Sequence, residues 1–289
     1  MSFAIFTDAC SNLPGAALRE RRIKPLPCNY TIDGRQITYL GDIEAFNAKE
    51  HYDLLRSGKL ITTSLLNTQL FLDHFRPELE KGKDVIYIGM SSGISGTYQA
   101  AAIAAGELCR EFPDRTVRTV DSLGAGFGPG LLTLRAADLR DAGKTAAQTA
   151  DLLDLEKLDL CEYFTVDDLM FLKRTGRLDA TSALVGTMLG IKPILRGDEQ
   201  GHIVVSQKCR GRKKAVDMLA KIYADRVVRP EAQRVAISHG DCEADAQALA
   251  EKICAIAPPK ELILCPHEPM TGSHVGPGML GIFFFGKGR

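Results

Sequence analysis

The stretch Val85-Ile86-Tyr87-Ile88-Gly89-Met90-Ser91-Ser92-Gly93-Ile94-Ser95-Gly96-Thr97 decides the fold class. It opens as an apolar run of strand character and turns through a segment rich in serine and glycine. An alanine-rich helical stretch then runs from residue 98 to about residue 110. Strand, turn and helix start thus lie in one line. The first turn of a helix leaves several backbone N–H groups without partners, and the macrodipole adds partial positive charge there. Serine and threonine hydroxyls surround those amides, so the turn suits an anionic oxygen group such as phosphate or carboxylate. The plainer reading makes Ser95 or Ser92 a helix cap.

Outward from this unit the same pattern repeats. Residues 3–6 read as a buried strand, followed by the polar turn Asp8-Ala9-Cys10-Ser11-Asn12-Leu13-Pro14 and a helix over 13–22. Residues 27–32 read as a strand and 49–56 as a helix. A further helix over 68–75 is expected to end or bend at Pro77. Residues 85–88 and 117–120 are strands, each followed by a polar or Gly-rich turn and a helix. Strands alternating with helices argue for a parallel sheet with covered faces. Ligands of such sheets sit beyond the carboxyl ends of the strands, where Asp8, residues 91–97 and Asp121-Ser122 should gather.

The second half begins after a helix over 146–158. Strands are expected at 163–166, 202–206, 234–238 and 261–265, and helices at 180–189, 211–224 and 244–256. The tail from Met270 to Phe285 reads as a Gly-rich loop and a closing apolar strand. The reading is therefore an α/β chain of two parts, residues 1–158 and 159–289.

Bulk properties exclude several functions. Lys+Arg and Asp+Glu are both 36, so a chain of 289 residues has zero net charge and no basic footprint for nucleic acid. No apolar run is long enough to span a bilayer. The start lacks the basic segment and long apolar core of a secretory signal, and the eight cysteines show neither C-x-x-C pairs nor Cys/His clusters at metal spacing. These features predict a cytoplasmic protein with reduced thiols, no structural metal and no cofactor. Gly93-Ile94-Ser95-Gly96 approaches a nucleophile elbow, but G-x-S-x-G requires glycine where Thr97 stands.

Six signatures together resemble the DegV family of bacterial fatty-acid-binding proteins. They are Phe6-Thr7-Asp8 with Leu13-Pro14, Thr62-Thr63-Ser64, the serine-rich turn through Ala100, and Val120-Asp121-Ser122. Leu172-Lys173-Arg174-Thr175-Gly176-Arg177, continuing into Leu189-Gly190-Ile191-Lys192-Pro193-Ile194-Leu195, is the fifth. Gly272-Ser273-His274-Val275-Gly276-Pro277-Gly278-Met279-Leu280-Gly281 is the last. The chain departs from the pattern at Ala9, Asn12, Leu65-Leu66 and Thr175.

The resemblance implies a DegV-like α/β fold whose second part holds an acyl-chain tunnel, with a single long-chain fatty acid as ligand. It implies that Thr63 and Ser95 hydrogen-bond the carboxylate, that Ser92, Gly96, Thr97, Ser273 and His274 lie around it, and that Arg174 meets an acyl phosphate or a partner. The partner the resemblance implies is the ATP-binding subunit of a fatty acid kinase, which makes acyl phosphate for phospholipid synthesis. The resemblance also implies only transient membrane contact and a carrier with no turnover of its own. Tunnel candidates are Leu169, Met170, Leu184, Met188, Leu189, Ile191, Ile194, Met279, Ile282 and Phe284. A serine hydrolase, or a sensor of another small molecule on the same fold, is the alternative.

Overall fold

The computed structural model describes residues 3–178 and 190–289. Strand β1 (Ala4–Asp8) leads through helix α1 (Gly15–Glu20) to β2 (Ile23–Leu26), parallel to it. Pro27 then separates β2 from β3 (Cys28–Ile32), so the expected single strand over 27–32 begins one residue later and in another sheet. β3 pairs antiparallel with β4 (Arg35–Tyr39) and, after α2 (Ala48–Arg56), with β5 (Ile61–Thr63). This small sheet has no counterpart in the sequence reading, because β4 is almost wholly exposed and carries little apolar pattern.

Helix α3 (Thr68–Glu80) runs past Pro77, which lies inside it and neither ends it nor limits it to residue 75. β6 (Val85–Gly89), α4 (Thr97–Glu111) and β7 (Val117–Asp121) follow as expected. The parallel sheet has the order β2-β1-β6-β7. Every residue of β6 is buried, as befits a strand covered on both faces. Phe6 and Tyr87 pack on one side with Phe71 and Phe75 of α3. Ile5, Ile86 and Ile88 pack on the other.

That second side is covered by α5 (Phe127–Asp141) and α6 (Ala146–Glu156). Eleven of the 15 residues of α5 are buried, including both faces of the helix. A helix apolar all round belongs inside a core, and α5 indeed packs against both main sheets. A single apolar cluster therefore contains Ile86 of the first sheet, Leu131 of α5 and Phe283 of the second.

The second sheet has the order β10-β9-β8-β13-β11-β12. Its strands are β8 (Leu160–Thr165), β9 (Ile191–Gly197), β10 (Ile203–Arg210), β11 (Arg234–His239), β12 (Glu261–Pro266) and β13 (Leu280–Phe285). Only β11 and β12 pair in parallel; the other neighbours are antiparallel. Between β8 and β9 lies the short helix α7 (Met170–Arg174), and the expected helix over 180–189 falls outside the described residues. α8 (Arg212–Arg226) and α9 (Glu243–Ile256) cover the outer face against Tyr163, Ile194, Ile282 and Phe284.

The tail differs from its expected form. Residues 269–275 are a helix, α10 (Pro269–Val275), rather than a loop. Glu268 caps it, its carboxylate accepting from Met270 N at 2.6 Å and Thr271 N at 2.8 Å, and Pro269 occupies the first turn. Tyr52 packs so closely against Gly272 that only glycine fits within this helix; a Cβ there would lie 2.5 Å from Tyr52 Oη. The sharp bend comes after the helix, at Gly276 and Gly278, with φ of 78° and 77°.

Candidate functional site

The carboxyl ends of β1, β6 and β7 meet as the alternating pattern requires. Asp8 Oδ2 accepts from Met90 N at 2.8 Å, and its other oxygen accepts the Tyr87 hydroxyl. Burial pushes the Asp8 carboxyl up to about 6, against these two hydrogen bonds. Asp121 Oδ1 accepts from Ser92 N at 3.2 Å and Leu123 N at 3.0 Å, holding the serine-rich turn against the end of β7. Asp121 thus braces the turns on either side of it.

The turn itself spends its amides internally. Ser92 N donates to Asp121, Gly93 N to Ser91 Oγ, Ile94 N and Ser95 N to Ser91 O, and Thr97 N to Ser95 Oγ. The expected amide cradle for an anion is therefore largely closed, and hydroxyls are what the turn presents. Ser95 Oγ also lies 3.1 Å from Thr97 Oγ1, which in turn accepts from Leu66 N at 3.2 Å. Ser95 thus makes a local turn just ahead of α4, whose N-cap position is Gly96 with no capping side chain, so neither Ser92 nor Ser95 is the expected helix cap; Ser95 faces the same space as its neighbours.

That space is a cavity of about 390 Å³ between the two sheets. Thr63, Ser92, Ser95, Gly96, Thr97 and His274 all line it. Thr63 and His274 come from β5 and the last turn of α10, 211 residues apart, and meet at 2.8 Å between Oγ1 and Nε2. His274 Nδ1 is buried without a partner among the described residues. Burial, and then the charges of Arg177 and Arg174, hold this imidazole down at about 4, so it is neutral at pH 7. Ser64, Leu65 and Gly96 line the same cavity and are exposed, so the hydroxyl donors stand near its opening.

Two expected site residues stand elsewhere. Ser273 is buried on the other side of α10, where its hydroxyl donates to Pro269 O at 2.6 Å and meets His51 Nε2 at 3.2 Å. Arg174 is exposed and stacks on Phe171, 4.2 Å from the ring centroid. The basic residue that lines the cavity is Arg177, anchored to Thr175 O. α7 ends at Arg174, and the turn that follows brings residue 177 back toward the core.

The apolar wall also differs from the expected set. Of the described candidates only Met279 lines the cavity. Ile194, Ile282 and Phe284 face α8 and α9, Met170 is 51% exposed, Leu169 packs in the central core, and Ile191 lies in β9 away from the lining. Leu184, Met188 and Leu189 fall outside the described residues. The wall is built instead by Phe164, Leu172, Ile203, Val275 and Phe283 from the second half, with Leu65, Met90 and Ile94 from the first. The cause on β13 is strand parity: residues 282 and 284 point to one face and 283 to the other.

One lining residue is out of character with the rest. Glu162 is buried on β8, and burial raises its carboxyl to about 7, with Arg289 and the Ala125 amide pulling the other way. A second buried group, His267, bridges Ser238 Oγ and Thr271 Oγ1 at 2.8 Å each and is fully hydrogen-bonded. Cys10 and Cys28 also line the cavity, with sulfurs 3.5 Å apart; all eight cysteines are free. Among the described residues no group of three His, Cys, Asp or Glu side chains is placed to hold a metal, and no helix is long and apolar enough to cross a membrane.

The arrangement matches known proteins along its whole length. A relative from Clostridium perfringens, a DegV domain-containing protein, is 36% identical over 285 residues, covering 98% of this chain and 97% of its own. Two solved structures superpose closely. A DegV family protein from Thermus thermophilus, described for its fatty acid binding, has TM-score 0.87 at 28% identity, covering 99% of this chain and 100% of its own. DegV of Bacillus subtilis, described as a fatty acid binding protein, has TM-score 0.82 at 29% identity with the same coverage. The family described as "Uncharacterised protein, DegV family" matches residues 2–287, and the chain belongs to the DegV family.

Proposed function

We propose that this protein is a non-catalytic carrier that holds one long-chain fatty acid, its tail in the cavity and its carboxylate at Thr63, Ser95 and His274. The observation that carries this reading is the joining of neutral donors and apolar walls in one cavity. The Thr63–His274 pair and the serine-rich turn stand near the opening, while Phe164, Leu172 and Phe283 line the cavity as well. Neutral hydroxyls fix a carboxylate without a tight ion pair, which leaves an oxygen free for reaction. Each buried methylene of the tail contributes about 0.8 kcal/mol, so few polar contacts suffice. The solved relatives described as fatty acid binding support the ligand class.

The finer part of the proposal is presentation of the carboxylate to the ATP-binding subunit of a fatty acid kinase, which phosphorylates it. The exposure of Leu65 and Gly96 at the opening favours access by such a partner, and Arg177 is the residue placed to meet a phosphoryl group. The division into residues 1–158, supplying the hydroxyl donors to which His274 of the second part is added, and 159–289, supplying most of the wall, belongs to the same proposal, as does a cytoplasmic location. A hydrolase reading gains little, because Ser95 Oγ bonds to Thr97 and not to His274.

Mass spectrometry of an organic extract of the purified protein tests the proposal. A stoichiometric long-chain fatty acid, depleted in a Thr63→Ala/Ser95→Ala variant, is expected. An extract that stays empty after incubation with fatty acids would overturn it.

A further inference from the structure

Glu162 puts a carboxyl where a hydrocarbon tail has no use for one. On β8 it shares a face with Leu160 and Phe164, and across the sheet it pairs with Phe283. Phe164 and Phe283 are apolar walls of the cavity that Glu162 also lines. Its side chain is 8% exposed; the Ala125 amide lies close enough to favour the ionised carboxyl, but Oε1 makes no well-aligned hydrogen bond among the described residues. Arg289 approaches Oε2 at 3.4 Å but also donates to the carbonyls of Ser122, Leu123 and Lys157.

The surroundings make room for this carboxyl. A Cβ on Gly124 or on Gly128 would overlap Glu162 Oε1, so two glycines of the segment before and within α5 accommodate it. The carboxyl thus stands beside Phe164 and Phe283, among the apolar walls that the carrier reading assigns to the tail.

We propose that Glu162 is a second recognition point inside the cavity, selecting acyl chains that carry a hydroxyl along their length over unsubstituted chains. The proposal rests on the fatty-acid reading above. A hydroxyl is the fitting partner because it both donates and accepts. It accepts from the protonated carboxyl and donates to the ionised one, so it satisfies Oε1 in either state. A buried group that lacks a partner gains more from such a bond than an exposed one does.

The test is competitive displacement of a fluorescent fatty acid from delipidated protein. The competitors are octadecanoic acid and a series of octadecanoic acids with one hydroxyl at successive carbons. The expected result is a preference of about tenfold for hydroxylation at one matching position. Glu162→Met should lose that preference while still binding octadecanoic acid, and Glu162→Gln, whose amide donates and accepts, should keep it. Glu162→Leu serves if the Met variant does not fold. Equal affinity for plain and hydroxylated chains in the parent protein, or a preference that survives Glu162→Met, would overturn the inference while leaving the carrier reading intact. Failure of every chain to bind would overturn both.

Discussion

Replacing Asn12 with aspartate exchanges one nitrogen for an oxygen and should destabilise the protein by about 2–4 kcal/mol at neutral pH. Asn12 is fully buried in a left-handed conformation, φ 61°. Its Nδ2 donates to Pro266 O at 2.8 Å and lies 2.9 Å from Cys265 Sγ, while its Oδ1 accepts from Glu268 N at 2.7 Å. These bonds brace the turn after β1 against the entrance to α10, the helix that carries His274. An aspartate keeps the Glu268 contact but turns its second oxygen on the Pro266 carbonyl. The lost bond is worth about 1 kcal/mol, and leaving that carbonyl unsatisfied costs about 1–3 kcal/mol more.

Protonation should relieve the defect, since a neutral carboxyl can donate to Pro266 O. A carboxyl buried here, near Glu268, has its pKa raised in the folded state. Its contribution is then retained below the unfolded value and lost as pH rises through the folded one. The deficit relative to the parent protein should be small near about pH 4 and complete by about pH 8. Urea unfolding of both proteins across this range measures it, and the subtraction removes carboxyls common to both. Equal stability at neutral pH, or a deficit that does not vary with pH, would refute the reasoning.

Two further outcomes follow from the same geometry. Burial holds His51, His267 and His274 at about 4, about 3 and about 4, and raises Asp8, Glu162 and Glu268 to about 6, about 7 and about 7. The neutral histidines lose stability as pH falls below about 6.5 and the carboxyls lose it as pH rises through 6–7, so unfolding midpoints should peak near about pH 6, and a monotonic profile would contradict this balance. Phe283→Ala and Phe284→Ala should each cost about 3–5 kcal/mol, but only Phe283→Ala should broaden the bound lipids toward bulkier chains, as read by extraction and mass spectrometry.

Much of this architecture was legible from the chain. β1 and β6 are fully buried strands beside turn residues, and their apolar runs admit little else; β7, with Arg118 and Thr119 half-buried, was legible from its flanking turn and helix. The gathering of Asp8, residues 91–97 and Asp121 follows from parallel topology alone. Other features were hidden by specific physical causes. Phe283, Phe284 and Phe285 are alike in hydropathy, and β13 is buried on both faces, so only the sheet register separates cavity wall from outer core. Gly272 reads as loop because the tertiary contact with Tyr52 that favours glycine in α10 lies 220 residues away, although Glu268-Pro269 was a readable helix start. The choice of Arg177 over Arg174 depends on where α7 stops. The pairing of Thr63 with His274 joins β5 to α10, and no local pattern encodes it.

Calorimetric titration of the delipidated protein with a long-chain fatty acid tests the central claim most directly. One saturable site per chain is predicted, weakened at least tenfold in the Thr63→Ala/Ser95→Ala variant while folding is preserved. Absence of saturable binding, or equal affinity in the variant, would contradict the assignment of this cavity as a carboxylate-anchored acyl site.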